Sequence, residues 1–198
     1  MGKLFSLLYD PLMAPLERGR LKRLREHLLK EAKGLVLEIG SGTGINFPLY
    51  QAAKKVIAAE PSRTMRSKSM KNLRLAKVPI ELTEAKAEAL PFKDETFDTI
   101  VMTLVLCSVD HPLKAINEAK RVLKPGGRIL FLEHVRMNAR FIGRLQDSLT
   151  PVWKHLCDGC HLNRRTLAYL EAAGFEMIDV RRDFHGLFVS GTVAKSAE

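Results

Sequence analysis

The sequence has no apolar run long enough to cross a membrane. A membrane-spanning helix needs about 18–20 consecutive, predominantly apolar residues, and polar or charged residues interrupt each hydrophobic stretch well before that length. Residues 1–11 also lack the small-residue cleavage site of a secretory signal peptide. We therefore expect neither a transmembrane helix nor a signal peptide, and we predict a cytoplasmic location.

Cysteine is also scarce. Three cysteines among 198 residues are too few for a disulfide-stapled scaffold and are typical of a reducing compartment. One short segment does hold four residues of metal-binding type: His155, Cys157, Cys160 and His161. Structural zinc sites usually draw on two separated pairs of ligands, and these four residues lie within a span of seven. We therefore expect no metal site.

Acidic residues are outnumbered by basic ones. The chain has 32 Lys and Arg against 22 Asp and Glu, a net charge of +10. Eight of the basic residues lie between Lys54 and Lys77, where Glu60 is the only acid. The simplest interpretation is a solvated helix face, and the alternative is peripheral contact with an anionic membrane. We expect no nucleic-acid partner, because the sequence has neither an aromatic-interleaved basic stripe nor a known binding motif.

The chain alternates short apolar runs with helical patterns. Strands are predicted at 35–39, 56–60, 79–82, 97–104, 128–132, 176–181 and 187–194. Helices are predicted at 12–32, from the turn after the first strand to about 53, and at 62–75, 112–123, 140–149 and 163–173. Strands that alternate with helices favour a mostly parallel sheet with helices on both faces. The sequence therefore predicts an α/β fold with a doubly wound sheet of seven strands.

A glycine-rich turn follows the first predicted strand. The segment reads Glu38-Ile-Gly40-Ser-Gly42-Thr-Gly44, and Glu60 ends the next strand. Glycines let the chain turn tightly and let a ligand approach the backbone, and a helix start behind them directs free N–H groups at that ligand. An ionised carboxylate at position 60 can accept hydrogen bonds from both hydroxyls of a ribose. The pattern indicates a cofactor that contains a nucleoside.

The spacing of the glycines separates two classes of cofactor. The dinucleotide fingerprint is Gly-x-Gly-x-x-Gly, whereas this turn reads Gly-x-Gly-x-Gly and has Ile45 after it. Glu38 lies two positions before the first glycine. The Glu-x-Gly-x-Gly-x-Gly arrangement resembles the first motif of the class I S-adenosylmethionine-dependent methyltransferases. A nicotinamide-dependent oxidoreductase is the alternative enzyme, and the spacing argues against it.

Three further segments are similar to motifs of this family. Glu88-Ala-Leu-Pro-Phe92, with Phe97-Asp98, resembles the third and fourth motifs. Arg121-Val-Leu-Lys-Pro-Gly-Gly127 resembles the turn before the fifth strand, so the resemblance covers residues 30–135. One position departs from the pattern: many relatives have an Asp that accepts from the adenine amino group, and this chain has Lys86 there. Glu88 or the backbone of Ala87 would then serve instead.

The resemblance implies a Rossmann-like sheet with six parallel strands and one antiparallel strand. It also implies S-adenosyl-L-methionine as cofactor and S-adenosyl-L-homocysteine as product. The implied cofactor-binding residues are Glu38, Gly40, Ser41, Gly42, Gly44, Asn46, Glu60, Pro61, Ala87, Glu88 and Leu104. Residues 1–198 would form a single domain, with a cap helix (1–33), a cofactor-binding core (34–135), and a lid segment followed by a hairpin (136–198).

A narrower resemblance concerns the acceptor. Segments 103–109, 133–135, 151–155 and 158–160 resemble the methyltransferase-like animal proteins that methylate alkyl thiols, and their bacterial relatives. This implies a small, lipophilic acceptor such as an alkyl thiol. The general pattern also resembles phospholipid amine N-methyltransferases and quinone C-methyltransferases, which stay open. A methyltransferase-like protein without activity, binding a membrane or a partner through its basic face, is the non-enzymatic alternative. The sequence predicts no oligomeric state.

Four residues are candidates for the acceptor side of the site. His134 ends the fifth strand, at the sheet edge where ligands bind in open α/β folds, and its imidazole is a candidate base for a thiol or amine. A hydrogen bond across the pocket is its alternative role. Tyr9, Cys107 and Glu133 are candidate substrate-binding residues, although Cys107 also fits a small buried core thiol.

Overall fold

A seven-stranded sheet forms the centre of the computed structural model, which describes residues 19–157 and 159–196. The strands are β1 (Gly34–Ile39), β2 (Ala53–Ala59), β3 (Ile80–Thr83), β4 (Phe97–Thr103), β5 (Leu123–His134), β6 (Glu176–Asp183) and β7 (Phe188–Ala194). Their order is β3-β2-β1-β4-β5-β7-β6. Neighbours pair in parallel from β3 to β5, and β7 is antiparallel to both β5 and β6. The predicted sheet of six parallel strands and one antiparallel strand is confirmed.

Helices cover both faces of this sheet. They are α1 (Arg20–Leu29), α2 (Arg63–Leu73), α3 (Pro112–Val122), α4 (Arg140–Leu156) and α5 (Thr166–Ala172). Successive side chains of a strand point to opposite faces, and β1 shows the result. Val36 belongs to the buried cluster that includes Leu21 of α1. Leu37 belongs to the other cluster, with Ile116 of α3.

The topology brings the predicted site residues to one edge of the sheet. After β1 the chain builds β2 and β3 on one side, and it then returns to add β4 on the other side of β1. Ligands of open α/β sheets bind beyond the carboxyl ends of the strands at such a reversal. The glycine turn, Glu60, Leu104 and the pair Glu133–His134 all follow or end strands at this edge.

Two predicted elements near the sheet differ in the structure. The helix expected after the glycine turn is a single 3-10 turn, Phe47–Leu49, because Tyr50 is extended, with φ −65° and ψ 130°. Strand β5 begins five residues before the predicted start at 128. The pairing passes from Phe97↔Leu123 to Thr99↔Arg128, so the residues between bulge out of the ladder.

The predicted helix ends also shift. Helix α4 was expected to end near 149 but continues to Leu156 through Pro151, and the apolar repeat of Leu145, Leu149 and Val152 continues with it. Helix α5 begins at Thr166, three residues later than expected. Of the predicted helix 12–32, the described part is helical over Arg20–Leu29, and Tyr9 lies outside the described residues. Among the helices that the structure describes, none is both long and apolar enough to cross a bilayer.

Candidate active site

The glycine turn, residues 40–44, follows β1 directly. The backbone N–H groups of Gly40 and Ser41 donate to the carbonyl oxygen of Ala59, at 2.8 and 3.1 Å, which ties the turn to the end of β2. Gly40, Gly42 and Gly44 have φ values of +66°, +53° and +72°. Residues with a Cβ rarely adopt this region, so the backbone of the turn favours glycine at all three positions.

The three glycines differ in their surroundings. A Cβ at Gly40 would lie 2.6 Å from Cγ2 of Val105, and one at Gly44 would lie 2.5 Å from Cε2 of Phe47. At Gly42 the nearest atom among the described residues is the carbonyl oxygen of Gly40, at 4.0 Å. Packing within the protein therefore requires Gly40 and Gly44, whereas Gly42 borders free space that a ligand can enter.

Glu60 links the glycine turn to the start of α2. Its Oε2 accepts a hydrogen bond from the N–H of Gly42 at 3.0 Å, and its Oε1 accepts from the N–H of Ser62 at 2.8 Å. The side chain is buried, and this burial raises the pKa of its carboxyl although both hydrogen bonds oppose the shift. Each carboxylate oxygen keeps a lone pair, so Glu60 can accept further hydrogen bonds beside Gly42. Pro61, also predicted to contact the cofactor, follows it and is exposed.

Glu38 is held in a buried polar network beneath the glycine turn. Asn46 Nδ2 donates to its Oε1 and Tyr50 Oη donates to its Oε2, both at 2.9 Å. Asn46 also bridges to Thr103, at the end of β4, through a bond of 3.0 Å. Burial raises the pKa of Glu38 to about 7, against these hydrogen bonds and the positive charge of Arg25.

Arg25 is a member of this network that sequence reasoning missed. Its Nη1 donates to Oδ1 of Asn46 at 3.0 Å and to Oγ1 of Thr103 at 2.7 Å. The side chain is only 2% exposed. The sequence position of Arg25 indicates that it is buried, because it lies four residues after Leu21 and three before Leu28, inside the apolar stripe of α1. A charged residue within such a stripe indicates a buried polar partner.

The loop after β3 holds the residues predicted to border adenine. Ala87 is buried, and Lys86 forms an isolated bridge with Ala89. Oε1 of Glu88 accepts a long hydrogen bond, 3.4 Å, from the N–H of His111. The structure therefore places the Ala87 backbone and the Glu88 side chain in one loop.

The loop after β4 begins with a strained residue. Leu104 has φ +58°, and its N–H donates to the carbonyl oxygen of Leu132 at 2.7 Å. Glu133 anchors the next turn, because its Oε1 accepts from the N–H groups of Val105 and Leu106 at 2.8 and 2.9 Å. The Glu133 side chain is fully buried, and burial raises its pKa to about 7. Its main described role is thus to position this loop.

Cys107, His134 and Cys160 meet at the same edge of the sheet. One ligating atom from each lies within 4.8 Å of the other two, and His134 Nε2 is 3.0 Å from Cys160 Sγ. The N–H of His161 donates to the carbonyl oxygen of Cys107 at 2.8 Å, which holds the segment after α4 against the loop after β4. Sequence reasoning named all three residues but did not predict that they lie together.

The three side chains perturb one another electrostatically. A hydrogen bond from Cys107 and the neighbouring His134 lower the pKa of the Cys160 thiol to about 4 despite its burial. The bond with Cys160, together with burial, raises the pKa of Cys107 well above its usual range. Burial alone would lower the pKa of His134, but its bond with Cys160 raises that pKa. The cluster thus favours the thiolate form of Cys160 and the positively charged form of His134.

A cleft of about 270 Å³ lies elsewhere, between α1 and strands β6 and β7. Its lining includes Arg23, His27 and Arg181 and shares no residue with the glycine turn or with the Cys107–His134–Cys160 cluster. Its position therefore does not coincide with the predicted site.

Comparison with known proteins identifies the family to which this chain belongs. The methyltransferase-domain family model, Methyltransf_11, matches residues 37–131. The chain is 37% identical over 161 residues to the rat (Rattus norvegicus) thiol S-methyltransferase TMT1B, covering 77% of this chain and 66% of that protein. It is 33% identical over 182 residues to the human (Homo sapiens) TMT1B, covering 86% and 75%. A crystal structure of a methyltransferase from Thermotoga maritima superposes with TM-score 0.69 at 23% identity, covering 99% and 100%.

The chain belongs to the class I S-adenosylmethionine-dependent methyltransferases. Within that class it is similar to the thiol S-methyltransferases, and the matched regions span 66% and 75% of the length of the two relatives. The family implies S-adenosylmethionine as the cofactor, and the site fits it. Gly42 borders free space, Glu60 keeps acceptor capacity beside it, and Oγ of Ser41 is buried without a hydrogen-bond partner among the described residues.

Proposed function

We propose that this chain transfers the methyl group of S-adenosylmethionine to a small, lipophilic thiol. The observation that supports a thiol acceptor is the match to thiol S-methyltransferases. This match extends over 86% of this chain, far beyond the matched domain at residues 37–131. Phospholipid amines and quinones are the alternative acceptors. A screen of alkyl thiols, phosphatidylethanolamine and a demethylated quinone, with methylated products identified by mass spectrometry, distinguishes them.

The chemistry asks little of the protein beyond positioning. Bound S-adenosylmethionine supplies a methyl group on a positively charged sulfur. The chain must align the acceptor with that methyl group, exclude water and favour the deprotonated acceptor. His134 lies at the right edge of the sheet for the last task, and its Nδ1 is buried without a partner among the described residues. In this proposal the residues predicted for the acceptor side are His134, Cys107 and Glu133, with Tyr9 as a further prediction.

The Glu60→Ala variant tests the cofactor part of the proposal. We expect calorimetric titration to show micromolar binding of S-adenosylmethionine and S-adenosylhomocysteine to the unchanged protein, and none of NAD. Glu60→Ala removes the carboxylate proposed to accept from the ribose hydroxyls, so affinity should fall about 10- to 100-fold.

Glu81→Ala is the matched control, because Glu81 is an exposed glutamate of the neighbouring strand β3 that pairs with Lys55 at the surface. It should bind the cofactor like the unchanged protein. Equal affinity of the Glu60→Ala and Glu81→Ala variants would contradict the assigned role of Glu60. Binding of NAD alone would overturn the cofactor.

We further propose that the protein is cytoplasmic and contacts anionic membranes through α4. This helix packs on the protein through its polar side. Gln146 Nε2 donates to the carbonyl oxygens of Val135 and Leu162, at 3.2 and 3.0 Å, and Gln146 Oε1 accepts from the N–H of Met137 at 2.7 Å. Thr150, one turn further, is also buried.

The apolar side of α4 faces outward. Its large exposed side chains are Phe141 (81% exposed), Ile142, Leu145, Leu149, Val152 (63%) and Trp153. Arg140, Arg144 and Lys154 are exposed on the same helix. An amphipathic helix with its apolar side free and cations beside it suits the interface of an anionic bilayer, where a lipophilic acceptor would also concentrate.

A double variant tests this contact. Phe141→Ser/Val152→Ser removes two of the most exposed apolar side chains of α4, so binding to phosphatidylserine-containing vesicles at low salt should fall at least tenfold in co-sedimentation. Ile178→Ser is the matched control, because Ile178 is an exposed apolar side chain (52%) that belongs to β6 and not to α4. Absence of vesicle binding by the unchanged protein would refute the contact, and a stable dimer dispersed by the double variant would assign the surface to self-association.

A further inference from the structure

We propose that Cys107, His134 and Cys160 form a zinc-binding site whose fourth coordination position is open to the acceptor thiol. Only the identity of that fourth ligand rests on the proposed function. The three protein ligands do not depend on the proposed function, because they are inferred from the placement of their side chains.

The geometry of the cluster suits a tetrahedral site. Zn–S bonds of about 2.3 Å and Zn–N bonds of about 2.0 Å place neighbouring ligand atoms about 3.5–3.8 Å apart. The three ligand atoms already lie within 4.8 Å of one another. The distance between His134 Nε2 and Cys160 Sγ, now 3.0 Å, would lengthen by about half an ångström. Such a change needs only a small adjustment of side chains.

The three ligands come from separate elements that are fixed without a metal. Cys107 lies in the loop after β4 that Glu133 anchors through two backbone bonds. His134 is the last residue of β5. Cys160 lies in the segment whose next residue donates from its N–H to the carbonyl oxygen of Cys107. The crowding that argued against zinc bound by His155, Cys157, Cys160 and His161 does not arise here, because the ligands come from three separate parts of the chain. Of those four residues, the proposed site uses only Cys160.

The number of ligands indicates the kind of site. Structural zinc sites have four protein ligands, whereas catalytic sites have three and leave the fourth position to water or substrate, and two cysteines with one histidine are a known catalytic set. Among the described residues, the metal-type cluster contains three. Zinc also has high affinity for thiolates, so a thiol acceptor fits the open position.

The metal would prepare the acceptor for methyl transfer. On binding zinc, the thiol releases its proton to solvent and becomes a bound thiolate. The thiolate sulfur attacks the methyl carbon, and the bond between that carbon and the sulfonium sulfur breaks. The products are a thioether and S-adenosylhomocysteine, and the one proton released balances the reaction. His134 then serves as a ligand and not as the base.

Metal content tests the ligand set without any methyl transfer. The full chain, purified under reducing conditions from zinc-supplemented cells, should contain about one zinc ion per chain by mass spectrometry of the metal. Cys107→Ser, Cys160→Ser and His134→Asn should each lower this content at least fivefold. Cys157→Ser and His155→Asn are the matched controls, because both residues lie in the same segment outside the cluster, and they should retain the zinc.

Cobalt provides a second readout that does not depend on how the variants fold. Loading the zinc-depleted protein with Co²⁺ should produce intense thiolate-to-cobalt absorption and the visible bands of tetrahedral cobalt. Adding an alkanethiol should shift these bands if the fourth position is open. Absence of both zinc and the cobalt bands, or a Cys107–Cys160 disulfide instead of a metal, would overturn the site. If no thiol shifts the cobalt bands, the fourth coordination position is not open to the acceptor. That result would overturn the open position and would not contradict the proposed methyltransferase activity.

Discussion

Gly42→Ala should abolish tight cofactor binding and leave the fold largely intact. A Cβ at position 42 meets no atom of the described residues closer than 4.0 Å, so the protein itself has room for it. The cost to folding is that of a left-handed Ala, about 1–2 kcal/mol, or about 2–8 °C in Tm for a chain of this size. The added methyl group projects into the free space assigned to the cofactor. Affinity for S-adenosylhomocysteine should therefore fall at least 100-fold.

Gly44→Ala is the counterpart that separates binding from packing. It imposes the same backbone strain and also drives a Cβ to 2.5 Å from the ring of Phe47. Overpacking of this kind adds about 1–3 kcal/mol, so Gly44→Ala should unfold at a clearly lower temperature than Gly42→Ala. Calorimetric titration and thermal unfolding of both variants check the pair. Normal affinity in Gly42→Ala would show that the cofactor does not pass this position.

Glu38→Gln should stabilise the cofactor-free protein at alkaline pH and not at acidic pH. Burial raises the pKa of Glu38 from 4.5 to about 7, so the folded protein favours the protonated form more than the unfolded chain does. The stabilisation of the folded protein by protonated Glu38 is complete below pH 4.5 and is lost as the pH rises through about 7. The shift corresponds to about 3 kcal/mol. Glutamine resembles the protonated acid, so the variant escapes this loss.

Urea unfolding at pH 5 and pH 8 measures the effect. The free energy of unfolding of Glu38→Gln should exceed that of the unchanged protein by up to about 3 kcal/mol at pH 8 and by little at pH 5. Comparing the two proteins at each pH cancels the contribution of Glu133, whose pKa is also raised. Glu81→Gln, at an exposed position, serves as control. A difference that does not vary with pH would mean that Glu38 has an ordinary pKa in the folded protein.

The sequence predicted the part of this molecule that local patterns determine. Apolar runs and glycine spacing located the strands and the turn after β1, and the order of strands predicted the parallel sheet. Predictions failed where distant residues decide the outcome. Strand β5 starts early because its first residue, Leu123, pairs with Phe97 of β4. Helix α4 is a different case, because the apolar repeat along which it continues through Pro151 is itself a local pattern.

In the candidate site, too, local sequence patterns predicted some residues and missed those that only the fold brings together. Glu38 and Glu60 were predictable because each has a fixed distance from the glycines along the chain. The buried partner Arg25 lies 21 residues from Asn46 and 78 from Thr103, and no local pattern joins them. Cys107 and Cys160 were likewise judged separately, since only the folded chain brings the loop after β4 against the segment after α4.

The position of β7 has a consequence for how the chain is assembled. This strand lies between β5 and β6 and is later in the chain than both. A ribosome therefore completes β5 and β6 before the strand that pairs with each of them exists. Until then β5 has a free edge on one side, and such edges favour association between chains. The seven-stranded sheet can be completed only after residue 194 has left the ribosome. The last step of its assembly pairs β7 with β5, which is far away in sequence, so we expect this step to be slow.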